Sequence, residues 1–148
     1  MKVVIQRVSR ASVSIGGAVR SSIQKGFVVL FGAGKDDTEA DLDYIIKKVT
    51  GLRIFEDENG KMNLSLSDAG GALLVISQFT LFADTKKGNR PSFIHAGLPE
   101  PSKALYLKFI DRCRELGYTV GEGEFGADMD VSLVNQGPVT IIIDSKNK

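Results

Sequence analysis

Apolar Ala11, Val13 and Ile15 alternate with Ser12 and Ser14, which predicts a half-buried strand. Residues 3–8 predict another strand just before it. Gly16-Gly17 supplies a hairpin turn, and residues 18–23 return. The unbroken run FVVLFG, residues 27–32, predicts a strand covered on both faces. Period 3.6 then takes over: Leu42, Ile45, Ile46, Val49 and Leu52 form one stripe, with Asp37 or Thr38 as cap and Gly51 as stop. Short strands are expected around the Asn59-Gly60 turn. Residues 72–83, ALLVISQFTLFA, open as a buried strand, and a polar loop follows. A second helix is expected from about Pro101-Ser102, with Leu105, Phe109, Cys113 and Leu116 as its apolar stripe. Three closing strands are expected near residues 118–122, 131–134 and 139–144, the last two joined by a turn at Asn135-Gln136-Gly137-Pro138. The order is a β-hairpin, two βα units and three strands. It predicts one α/β domain over residues 1–148, with mixed β-sheet layers and two packed helices.

Composition changes this picture little. A chain of 148 residues with 43% hydrophobic side chains holds a core without metal or disulfides. One cysteine and one histidine make neither a disulfide nor a usual zinc site, so no metal and no cofactor is expected. No apolar run approaches a membrane span, and the first residues are too short and polar for a signal peptide, so the expectation is a cytoplasmic protein with no membrane partner. A net charge of +1, from 19 basic and 18 acidic side chains, argues against a broad grip on nucleic acid. Contact with one end of an RNA needs only a few phosphates and stays open.

The candidate chemistry is sparse. FGAGKDD contains Gly32, Gly34 and Lys35 but not the spacing of a phosphate-binding loop, and reads as a strand-to-helix turn. His95 lies in PSFIHAGLP with no nucleophile motif beside it. Cys113 sits on an apolar stripe, where a thiol is ordinarily inert. Two segments stand out. Ser77-Gln78-Phe79-Thr80-Leu81-Phe82 ends a buried strand, where α/β folds place active groups and where free backbone N–H groups can hold an oxyanion. A strand end whose hydroxyls satisfy local backbone explains it equally well. Asn135-Gln136-Gly137-Pro138-Val139-Thr140 reads as a plain turn, or as a rigid unit that aims carbonyl oxygens at an ammonium group.

SQFTLF and NQGPVT together resemble the paired signature motifs of the D-aminoacyl-tRNA deacylase family. MKVVIQRVSRASV, FVVLFGAGKDD, KKVTGLRIFED and KKGNRPSF are similar to that family too, so the resemblance spans nearly the whole chain. It implies the deacylase-like fold and hydrolysis of the ester of D-aminoacyl-tRNA, with glycyl-tRNA cut as well because glycine has no side chain to exclude. It implies a homodimer in which Gly137-Pro138 enters the partner's active site, with a cis peptide bond, and rejects L-amino acids. Ser77, Gln78, Phe79 and Thr80 become the catalytic segment. Arg7 locks the Gly-Pro loop, Asn135 joins Gly137 and Pro138 in binding substrate, Met129 packs beneath the loop, and Phe125 stacks on the terminal adenine. Lys86, Lys87 and Arg90 are the expected contacts to acceptor-end phosphates. Two mechanisms remain open: Thr80 as nucleophile with Gln78 at the oxyanion, or water attack helped by the RNA 2′-hydroxyl, with backbone N–H groups near Phe79 and Thr80 at the oxyanion. A non-catalytic binder of charged tRNA ends, or a small-molecule esterase using Ser77 or Thr80 with His95, are the rival classes.

Overall fold

The computed structural model describes residues 1–148. Strand β1 (Lys2–Ile15) is the spine of the sheet. Its first half pairs antiparallel with β3 (Gly26–Gly32) and its second half with β2 (Ala18–Ile23). Parallel pairing then adds β6 (Ala72–Ser77) to β3, and β7 (Val120–Glu122) to β6. The final strand β8 (Asp130–Asp144) lies along the whole opposite edge of β1. The sheet curls until β2 meets β7, where Arg20 Nε donates to the Gly123 carbonyl at 3.3 Å. Helices α1 (Glu39–Gly51) and α2 (Pro99–Glu115) cover its outer face. A small ribbon, β4 (Phe55–Glu56) with β5 (Met62–Leu64), stands apart around the Asn59-Gly60 turn. No helix is long and apolar enough to cross a membrane.

Alternation assigns the two faces. Val3, Ile5, Phe27, Val29, Phe31, Leu73 and Val75 point to the helices and join the larger core. Val28, Leu74 and Ile76 point inward, where they meet Val8, Ala11 and Val13. Val3 and Ile5 thus face outward but Ala11 and Val13 face inward, although all four numbers are odd. The ladder to β8 slips between Gln6 and Val8 and again between Val8 and Arg10, and an irregularity of this kind moves a strand's side chains to the other face. Residues 3–8 and 11–15 are therefore one bulged strand rather than two.

The end of the chain departs from expectation more sharply. Asn135-Gln136-Gly137-Pro138 is not a hairpin turn. Thr140 pairs with Gln6 and Asn135 with Val8, so both flanks continue along β1 and the four residues 136–139 bulge out opposite Arg7. The closing strands number two, β7 and β8. Helix α2 starts at Pro99, with proline in its first turn, ahead of the expected Pro101. Its buried stripe is Ser102, Tyr106, Phe109, Ile110 and Cys113, and Leu116 lies past the helix end, 60% exposed.

Candidate active site

Strands β3 and β6 run parallel, so their C-terminal ends share one edge, the usual location of a site in such sheets. Ser77 is the last residue of β6 and pairs with Phe31. Gln78 still donates its N–H to the Phe31 carbonyl at 2.7 Å. The chain then tightens into a 3-10 turn, Phe79–Phe82, instead of continuing as strand. Leu81 N–H donates to the Gln78 carbonyl at 3.2 Å and Ala83 N–H to the Thr80 carbonyl at 3.1 Å. The N–H groups of Phe79 and Thr80 come first in the turn and find no acceptor within it. Glycine at position 32 permits this: a Cβ there would lie 2.9 Å from the Gln78 carbonyl oxygen and 3.3 Å from Leu81 Cβ. The Gln78 side-chain amide donates to Thr80 Oγ1, so these two catalytic candidates are mutually oriented.

Beside the turn lies a cavity of about 420 Å³ with walls from Phe31, Phe79, Phe93, Leu98, Phe125 and Gly126. Phe79 and Phe93 pack edge to face at 5.0 Å. Phe125 is held from behind by Tyr106, ring to ring at 5.9 Å, and Tyr106 is fixed by its hydroxyl bond to the Val75 carbonyl at 2.9 Å. A flat heteroaromatic ring suits such walls. The spacing of residues did not reveal Phe93, Leu98 and Ser102, which come from a loop and a helix start that only the tertiary fold brings to the turn.

Gly137 and Pro138 form the exposed tip of the β8 bulge, joined by a cis peptide bond. The buried Arg7 guanidinium anchors the bulge: Nε donates to the Gln136 carbonyl at 3.0 Å and a terminal nitrogen to the Ile54 carbonyl at 2.6 Å. Asn135 closes it from the other side, accepting the Val139 N–H at 2.9 Å and donating to Thr140 Oγ1 at 2.9 Å. Met129 packs under Gly123 and Glu124, next to Ile76, and not beneath the Gly-Pro tip of its own chain.

Lys86, Lys87 and Arg90 are all exposed on a loop closed by paired Asp84–Ser92 backbone bonds of 2.8 and 2.9 Å. His95 makes no hydrogen bond to Ser77 or Thr80, and its Nε2 lies 3.9 Å from an Asp84 carboxylate oxygen. Cys113 is fully buried, and burial pushes its thiol up to about 12, far from a thiolate at neutral pH.

The sequence matches the D-Tyr-tRNA(Tyr) deacylase family over residues 4–144. The chain belongs to this family. A D-aminoacyl-tRNA deacylase of Clostridium novyi (strain NT) is 57% identical over 100% of this chain and 99% of its own. One from Bacteroides thetaiotaomicron is 56% identical over 100% of this chain and 99% of its own. Among solved structures, the c-Myc DNA Unwinding Element Binding Protein superposes with a TM-score of 0.92 at 41% identity, covering 97% of this chain and 98% of that one. The matched span of residues 4–144 includes both SQFTLF at the turn and NQGPVT at the bulge.

Proposed function

We infer that this chain hydrolyses the ester joining a D-amino acid to the 3′-terminal adenosine of tRNA, and that it acts in the cytoplasm. The observation that carries this reading is the turn at Gln78–Thr80, which offers unclaimed backbone N–H groups beside an aromatic cavity. An aminoacyl ester is activated already, so hydrolysis needs a positioned water and a place for the oxyanion rather than a strong nucleophile. The Phe79 and Thr80 N–H groups serve the oxyanion. The aromatic cavity takes the adenine, with Phe125 as one wall. The 2′-hydroxyl of the RNA helps to orient the water.

Chirality is read by the Gly137-Pro138 carbonyls, which receive the substrate's ammonium group and occupy the space an L side chain needs. Glycine escapes this filter, so glycyl-tRNA is cut too. In one chain the tip cannot perform this role. Gly137 lies opposite Arg7 in the middle of β1, three strand spacings and several residues away from Gln78, which amounts to roughly 20 Å. A second copy of the chain must bring its tip to this turn, and the active form is a homodimer. Lys86, Lys87 and Arg90 meet phosphates of the acceptor end.

Thr80→Ala separates the two mechanisms. Thr80 Oγ1 accepts a bond from Gln78, and no base stands beside it. The expected result is a kcat within about tenfold of wild type, whereas deleting a true nucleophile costs on the order of 10⁴-fold or more. A loss of that size in single-turnover deacylation makes Thr80 the nucleophile. The function itself is tested by release of D-tyrosine against L-tyrosine from tRNA with no metal added. Rapid release from the D form alone is expected. Equal release from both points to a general esterase, and release from neither to a binder of charged ends.

A further inference from the structure

A second depression, of about 490 Å³, lies against the same 3-10 turn, with Phe82 in its wall where Phe79 lines the aromatic cavity. The two residues are three apart in the chain, a rise of about 6 Å along the axis of a 3-10 turn. The depression is lined by residues far apart in sequence: Lys2 at the start of β1, Asp84 and Lys86 in the loop after the turn, His95, and Lys146 near the chain end. Lys146 is committed elsewhere, with Nζ 2.9 Å from an Asp41 carboxylate oxygen. The Asp84 carboxylate accepts the Lys86 backbone N–H at 2.9 Å, and Asp144, also in the wall, accepts the Lys146 backbone N–H at 2.9 Å. The ammonium groups of Lys2 and Lys86 have no carboxylate partner. Lys2 Nζ stands 4.9 Å over the Phe82 ring, which ties that charge to the turn.

We propose that Lys2 and Lys86 form a phosphate site for the nucleotide strand that leads into the aromatic cavity. This rests on the deacylase reading. With adenine in the cavity and the ester at Phe79–Thr80, the only remaining outlet of the terminal nucleoside is its 5′ oxygen. That oxygen carries a phosphodiester in tRNA, and the unpaired cations beside Phe82, one turn further along, are where it arrives. Lys87 and Arg90, further out on the loop, contribute less than Lys2, which sequence position alone does not mark as part of the site.

The test compares D-tyrosyl-tRNA with a D-tyrosyl ester of adenosine that has a free 5′-hydroxyl. Lys2→Gln and Lys86→Gln are each expected to lower kcat/KM on the tRNA about fivefold at moderate salt, as loss of one exposed ion pair does. The pair together should lower it more than tenfold and reduce the slope of log(kcat/KM) against log[salt] by about 1.4, or 0.7 per contact. The adenosine ester should be cut at the wild-type rate by all variants, and Lys47→Gln on α1 should match wild type on both substrates. Lys86 lies on an exposed loop, so its variant tests the site even if Lys2→Gln disturbs β1. Equal loss on both substrates, or no loss on tRNA, overturns the phosphate site. If wild-type protein cuts neither substrate, the deacylase reading fails and the site falls with it.

Discussion

Gly137→Ala is expected to lower kcat/KM for D-aminoacyl-tRNA on the order of a hundredfold while leaving the protein folded. Gly137 has φ +130, a conformation L residues rarely adopt. A Cβ there would lie 2.8 Å from Val139 Cγ2, 2.9 Å from an Arg7 guanidinium nitrogen and 3.1 Å from Val139 N. The bulge must shift to admit the methyl, and its carbonyls lose their aim. Misplacement of about 1 Å in a positioning group costs about 10²-fold in rate. The strain is about 1–3 kcal/mol at an exposed tip, a drop of roughly 3–10 °C in Tm. The measurement is single-turnover deacylation beside thermal melting. Wild-type activity with a lowered Tm refutes the assignment of this tip to substrate recognition.

Arg7→Ala is expected to damage both properties. Arg7 is buried, and the variant leaves the Gln136 and Ile54 carbonyls without their donor. Hydrogen bonds from a charged group contribute about 1.5–3 kcal/mol each, so the loss is about 3–6 kcal/mol, or roughly 10–20 °C in Tm. Deacylation should fall at least as far as in Gly137→Ala, because the bulge loses its anchor. Arg7→Lys restores the charge but only one compact donor group, which cannot span two carbonyls in fixed geometry. It should therefore recover part of the stability and little of the activity. Chemical denaturation and D-tyrosyl-tRNA hydrolysis check both claims. A variant as stable and as active as wild type would remove Arg7 from the site.

How far the residues foretold this structure depended on whether the signal was local. The run at 27–32 and the stripe from Leu42 to Val49 each carry their own period, and both became the expected elements. Asn135-Gln136-Gly137-Pro138 misled because a tight turn and a bulge call for the same residue types. Only the pairing of both flanks with β1 separates the two, and that pairing joins residues more than a hundred positions apart. The second helix departs from its pattern for a smaller reason. Leu105 packs at the margin of the core, but Tyr106 and Ile110 are the buried pair and Leu116 lies past the helix end. Within the candidate site, the motif SQFTLF marks Gln78 and Thr80, whereas Phe93 and Lys2 come beside the turn only through the tertiary fold.

The setting of the Gly-Pro tip has a consequence for how the protein fails. A tip on a free loop can loosen while the rest of a domain stays folded. Here the tip interrupts a strand that is laddered to β1 on both sides, and β1 passes through both hydrophobic cores. Releasing it means breaking the ladder that β8 makes with the central strand on both sides of the tip. Thermal loosening of the filter therefore requires the β1–β8 ladder to open on both sides of the tip, a larger opening than the fraying of a loop.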